Sequence, residues 1–196
     1  MIGTAEQHIK APSLDFDIHP LLQKRWSPLA FSEERMSEEQ LQELFEAARW
    51  AASANNEQPW QYVYALRGTD GFNQIWEGLL PGNQIWANSA AALVVSLYRK
   101  NFQRNDQPNP WAMHDVGMAN AQLVLQATHR DIYTHMMAGF DRNKLHQTLA
   151  LDGQAEIMAV MALGYLGEDT DLPEKYQARE RSKRQRLSIH EFTKAL

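Results

Sequence analysis

Apolar residues recur at helical spacing most clearly after Ser37. Leu41, Leu44, Phe45, Ala48, Ala51 and Ala52 fall at i, i+3, i+4, i+7 positions, while Glu43, Glu46 and Arg49 take the other side. This pattern predicts an amphipathic helix with one stripe against a core. Ser37 is a good N-cap, Gln40 stands three residues on, and Glu38 and Glu39 suit the positive first turn. The helix should end near Ser53, where small polar residues take over. Residues 62–66 are aromatic and β-branched ahead of the turn formed by residues 67–71, and residues 91–98 form a continuous apolar run, so both read as strands. Residues 157–165 fit a strand or a helix equally by periodicity. Further helices are expected at 71–79, 113–130 and 141–149, the last capped by Asp141. A polar stretch at 99–110 reads as a long loop, either a mobile lid or a connector. Helices and strands that do not alternate strictly point to an α+β protein.

Composition narrows the class. A chain of 196 residues can bury roughly 70% of its unfolded surface around one core, so a single domain over 1–196 is expected. Hydrophobic residues at 44% and charged residues at 22% are those of an ordinary globular protein. The net charge of −5 gives no global attraction to nucleic acid or anionic lipid, so neither is an expected partner and any polyanion must meet a local basic patch. With no cysteine there is no disulfide, iron–sulfur cluster, thiolate nucleophile or thiolate zinc site, which suits a reducing cytoplasm. Residues 1–12 are polar without an apolar core, and residues 90–98 are too short a run to span a bilayer, so neither export nor membrane insertion is expected. Of the seven histidines, His114, His129 and His146 show no i, i+4 pairing with a carboxylate and no cysteine stands by to help, so no metal is expected. No Gly-x-Ser-x-Gly elbow and no Gly-x-Gly-x-x-Gly fingerprint occur, which sets aside a serine hydrolase and a Rossmann nucleotide site.

Two segments concentrate polar chemistry. Ala52-Ser53-Ala54-Asn55-Asn56-Glu57-Gln58-Pro59-Trp60 joins the first helix to the first strand. Its hydroxyl, amides and broad indole are the set that holds a planar heterocycle with polar edges; on residue types alone, a helix end and a turn before a strand is the readier account. The second segment is a basic run with Arg179, Arg181, Lys183, Arg184 and Arg186. By composition it fits a solvated surface, an RNA-contacting tail or a cofactor site. Arg184 and Arg186, one residue apart, point the same way in an extended chain and can reach one phosphate together. Arg181 and Lys183 are left as surface.

The first segment resembles the signature of the nitroreductase family, Pro-Ser-x-x-Asn-x-Gln-Pro-Trp, with Ala52 in place of the first proline. Arg25, Trp26 and Ser27 resemble that family's Arg-x-Ser-x-basic motif, whose arginine and serine reach the flavin phosphate and ribityl chain. Leu29 stands where the family usually carries a basic residue near the flavin pyrimidine. His135-Met136-Met137-Ala138-Gly139-Phe140-Asp141 is similar to the family's loop ending in Gly-Phe-Asp, whose backbone lies along the flavin ring and can hydrogen-bond N5. There Gly139 would permit a close approach. Arg184-Gln185-Arg186-Leu187-Ser188 resembles the family's basic-x-Arg-x-Leu ending, which closes on the phosphate.

The resemblance runs from about Asp17 to the end of the chain. It implies an α+β fold with a central mixed sheet flanked by helices, an intertwined homodimer, and two FMN sites between subunits. The implied flavin contacts are Arg25, Trp26, Ser27, Arg184 and Arg186 at the phosphate and ribityl end. Ala52, Ser53, Ala54 and Asn56, serving the partner's flavin, join Met137, Ala138 and Gly139 around the ring. It further implies ping-pong hydride transfer from NADH or NADPH to nitroaromatics, quinones or enones, with no obligatory side-chain acid or base. Relatives of this fold also dehalogenate tyrosines or fragment their flavin, and a flavin- or nucleic-acid-binding module without turnover is the alternative from another class.

Overall fold

The structure is a computed structural model and describes residues 10–196; most of the polar N-terminal stretch lies outside the described residues. Four strands, β1 (Trp60–Leu66), β2 (Ala92–Arg99), β3 (Tyr133–Met137) and β4 (Ala155–Gly164), form one sheet in the order β1-β2-β4-β3. The helices are α1 (Pro20–Lys24), α2 (Glu38–Arg49), α3 (Asp70–Glu77), α4 (Pro81–Ala87), α5 (Ala112–His129), α6 (Arg142–Thr148) and α7 (Glu174–Arg181). The architecture is α+β. The sheet expected to be mixed is antiparallel at every pairing of these strands. The physical reason is the position of β4. β2 and β3 run the same way and are joined through α5, as in a parallel crossover, but β4 lies between them and opposes both.

β2 shows why the sheet is buried on both faces. Leu93, Val95 and Leu97 enter one apolar cluster with Phe72, Ile75, Trp86 and Leu145. Ala92 and Val94 enter another with Leu41, Leu44, Ala119 and Leu123. A period of two on a strand covered on both sides is thus written as a continuous apolar run. β4, ambiguous by periodicity, is a strand because it hydrogen-bonds to neighbours along both edges. A register shift between Ser96 and Leu97 changes its phase, so Ile157 and Val160, three apart, share one cluster.

α2 begins with the full Ser37–Gln40 capping box and stops at Arg49, earlier than the apolar spacing suggested. β3 went unread as a strand, and α1, α4 and α7 went unread as helices. Stretch 99–110 is a fastened connector rather than an open lid. Phe102 N–H donates to Gln107 O at 2.7 Å, Asn109 N–H donates to Lys100 O at 2.8 Å, and Asn101 bridges Pro108. No helix among the described residues is long and apolar enough to cross a membrane.

Candidate functional site

The first part of the site forms where both ends of the described chain meet edge strand β3. His19 caps α1 by accepting from Leu21 N–H at 3.2 Å, with Pro20 preset for the first turn. Lys24 closes the helix on Asp131 at 2.5 Å, and the chain then extends through Arg25, Trp26 and Ser27. Trp26 lays its ring edge-on to Tyr133, centroids 6.1 Å apart. The buried His135 donates from Nδ1 to Pro28 O at 2.7 Å. β3 therefore carries the motif loop on its side chains.

α7 brings the C-terminal arm to the same place. Buried Glu180 accepts from Leu29 N–H at 2.9 Å and Ala30 N–H at 3.5 Å, locking the helix end to the loop. Burial raises the Glu180 carboxyl above the ordinary range, opposed by those bonds. Beyond it, Arg184 reaches back to Arg25 O at 2.5 Å and Gln23 O at 2.6 Å. One cavity is lined by Arg25, Trp26, Ser27, Leu29, Glu180, Lys183, Arg184 and Arg186, among others. Residues 159 apart in sequence thus share one pocket. Lys183, read as surface, is exposed and also stands at the wall of this cavity.

The pocket is short of negative charge. Burial lowers the Arg25 guanidinium from its ordinary value, and Arg186 lowers it further. Arg184 is lowered by burial and then by Arg25 and Arg186. No carboxylate forms an ion pair with Arg25, Arg184 or Arg186 among the described residues, Arg25 spends one donor on Ser27 Oγ at 3.2 Å, and the buried Nε of Arg184 has no acceptor. Arginines held together in this way favour a bound polyanion, whose charge relieves their repulsion. Leu29, only 1% exposed, is a core residue and supplies no charge.

The second part of the site is self-contained. Ala54–Asn56 form a single 3₁₀ turn, and Asn55, Asn56 and Gln58 adopt φ of 53°, 56° and 49°. Asparagine tolerates that left-handed region better than most residues. Ser53 Oγ accepts from Gln58 N–H at 3.0 Å, which leaves the hydroxyl proton to donate elsewhere. Ala54 N–H donates to Asp115 Oδ2 at 3.0 Å. Glu57 accepts from Gln103 N–H at 2.8 Å, tying the 99–110 connector to this segment. Ala52 precedes the turn and is exposed.

A single chain does not bring the two parts together. The Ser53 segment is pinned at Asp115, near the start of α5, whereas the Arg25 loop is pinned through Lys24 at Asp131, just past its end. At the rise of an α-helix that is a separation of roughly 20 Å. Met137 ends β3, and Ala138 and Gly139 lead away from it. Gly139 O accepts from Leu80 N–H at 3.0 Å and from Asn83 Nδ2 at 2.9 Å. A Cβ on Gly139 would lie 2.7 Å from Asn83 Nδ2. On that side of the glycine the close neighbour is Asn83 on α4. Asp115 and Glu180 escaped the sequence reading, and His135 was named only within its motif; each is a lone buried polar residue inside an otherwise ordinary element.

A family model described as "Nitroreductase family" matches residues 22–84 and 77–165. An Archaeoglobus fulgidus protein named "Putative NADH dehydrogenase/NAD(P)H nitroreductase" is 26% identical over 165 residues, 82% of this chain and 90% of that one. A crystal structure titled as an oxidoreductase containing FMN superposes with a TM-score of 0.87 at 30% identity, covering 92% of each chain. A nitroreductase family protein from Clostridium difficile 630 has the same fold at 17% identity, with a TM-score of 0.70 over 91% of this chain and 98% of that one.

Proposed function

The chain belongs to the nitroreductase family of oxidoreductases, and we propose that it is a homodimeric FMN enzyme. In this reading it passes electrons from NADH or NADPH to small electron-poor acceptors such as quinones, nitroaromatics and enones. The observation that carries the reading is the convergence of Arg25, Arg184 and Arg186 on one pocket, where the one lining carboxylate, Glu180, is spent on the Leu29 and Ala30 N–H groups and forms no ion pair with them. The pocket fits a flavin phosphate. The buried Arg184 Nε lacks an acceptor that a phosphate oxygen provides, and two of the three guanidiniums are destabilised until an anion arrives.

When bound, FMN supplies the two-electron carrier that takes hydride from the nicotinamide and gives it to the acceptor. The chain's own groups bind and orient. Arg25, Arg184 and Arg186 hold the phosphate, with Ser27 and Trp26 beside the ribityl chain. The backbone of Met137, Ala138 and Gly139 borders the ring. Ala52, Ser53, Ala54 and Asn56 border a ring held by a second copy, since a flavin bound at the arginines of their own chain lies near the far end of α5.

The surface of α5 supports pairing of two copies. Trp111, Met118 and Ala121 are exposed along it, and a Cβ added to Gly117 would meet nothing within 4 Å. A helix apolar on its outward face as well as its inward one is built to be covered. The exposed Leu187 and Phe192 add apolar surface on the C-terminal arm.

Purified protein should retain FMN, visible as yellow colour, at one flavin per chain, and oxidise NADH or NADPH when a quinone is added. Protein that takes up no flavin from excess FMN contradicts the proposal. A nucleic-acid-binding module would instead show salt-sensitive retention on an RNA column.

A further inference from the structure

A carboxylate buried beneath the Ser53 segment has more contacts than that segment requires. Asp115 is 2% exposed, and its Oδ2 accepts from Ala54 N–H at 3.0 Å. That bond and the favourable first turn of α5 account for one oxygen. The other oxygen, Oδ1, lies 3.0 Å from Nδ1 of His114, a side chain that is 68% exposed. A carboxylate only accepts, so Nδ1–H donates and Nε2 faces outward. A buried acid thus orients an exposed imidazole beside the turn that borders the flavin ring in the reading above.

We propose that His114 is the proton donor to the reduced acceptor, with Asp115 as its positioning residue. The inference rests on the flavin reading and adds to it a residue outside the family-like segments. With a quinone as acceptor, and hydride being what bound FMN would supply, the Nε2–H bond of the His114 imidazolium would break as an O–H bond forms on the acceptor oxygen. Two electrons and two hydrogens convert the quinone to hydroquinone. Neutral His114 then recovers its Nε2 proton from solvent, while its Nδ1–H stays hydrogen-bonded to Asp115. General acid catalysis by an oriented imidazole acts in the transition state and leaves cofactor affinity alone.

The test uses FMN-loaded protein and three readouts. FMN affinity by fluorescence and the rate of flavin reduction by NADH should change less than twofold in His114→Gln. Flavin reoxidation by a quinone should fall roughly 100-fold, as loss of a general acid does, while reoxidation by ferricyanide, a one-electron acceptor needing no proton, stays within twofold. In ¹⁵N-histidine-labelled protein, a non-reducible phenol should shift the Nε2 resonance that His114→Gln deletes. Asp115→Asn should slow the quinone reaction selectively as well. Equal slowing with quinone and ferricyanide, no change with either, or a His114 resonance indifferent to the phenol overturns the assignment. Failure of the unaltered protein to bind FMN or to be reduced by NADH instead removes the flavin reading, and the assignment with it.

Discussion

The molecule has two arginine-bearing pockets of opposite character. Arg67, just past β1, turns inward and donates to the carbonyls of Ser32, Glu33, Glu34 and Ser89, 2.8 Å from the last. One guanidinium there joins three segments of chain and is satisfied by neutral acceptors. In the other pocket, Arg25, Arg184 and Arg186 press on one another, and two of them are lowered by burial and mutual repulsion. What separates a structural arginine from a binding one is the number of donors left over, rather than burial or sequence context.

The largest effect should come from the pocket whose arginines have no ion-pair partner. Removing both side chains in Arg184→Ala with Arg186→Ala forfeits about 1.5–3 kcal/mol per phosphate contact, so FMN affinity should fall about 10²–10⁴-fold. A fluorescence titration showing a change within threefold would set the phosphate assignment aside. Arg67→Ala should do the reverse, costing about 2–4 kcal/mol of stability in a denaturant melt through its stranded carbonyls. Its FMN affinity should stay within twofold of the parent, and a larger loss would blur the distinction between the pockets.

pH sharpens the contrast. Burial lowers the His135 imidazole, helped by the charges of Arg179 and Arg25 and opposed by its bonds to Pro28 and Ser27 carbonyls. A depressed histidine contributes stability that is present above its unfolded value, near 6.5. That stability is lost as pH falls from there through the folded value, by up to about 1.4 kcal/mol for each unit of depression. His135→Gln should flatten the acid side of the stability curve, and an unchanged slope would show that protonation of His135 is not the cause. The smallest effect is expected at Gly139→Ala. The new methyl displaces the tip of Asn83 and loses one hydrogen bond, about 1 kcal/mol, measurable as a small fall in melting temperature without FMN.

The elements that sequence alone revealed are those whose patterns are local. The Ser37 box and its apolar stripe, the all-apolar β2 and the long α5 each carry their own signal. β3 did not, because its five residues alternate imperfectly and sit between a turn and a polar loop. The antiparallel sheet was also hidden, since only the insertion of β4 between β2 and β3 decides it. At the site, Arg25, Ser27, Arg184 and Arg186 were identifiable because they lie in short motifs, and the structure places them together. Glu180 was masked by the basic run around it, and Asp115 looked like any acid in a first helical turn. Gly139 was noticed for its freedom, but the neighbour that uses it lies 56 residues upstream.

The central claim is that each flavin is held by the arginines of one chain and the Ser53 turn of another. Mixed dimers of an Arg184→Ala/Arg186→Ala chain with an Ala54→Trp chain, each inactive for FMN binding as a homodimer, test it directly. If the site is shared, one pocket combines the intact arginines of the second chain with the intact turn of the first, and the mixed dimer binds one FMN. If each chain builds its site alone, both pockets are damaged and the mixed dimer binds none.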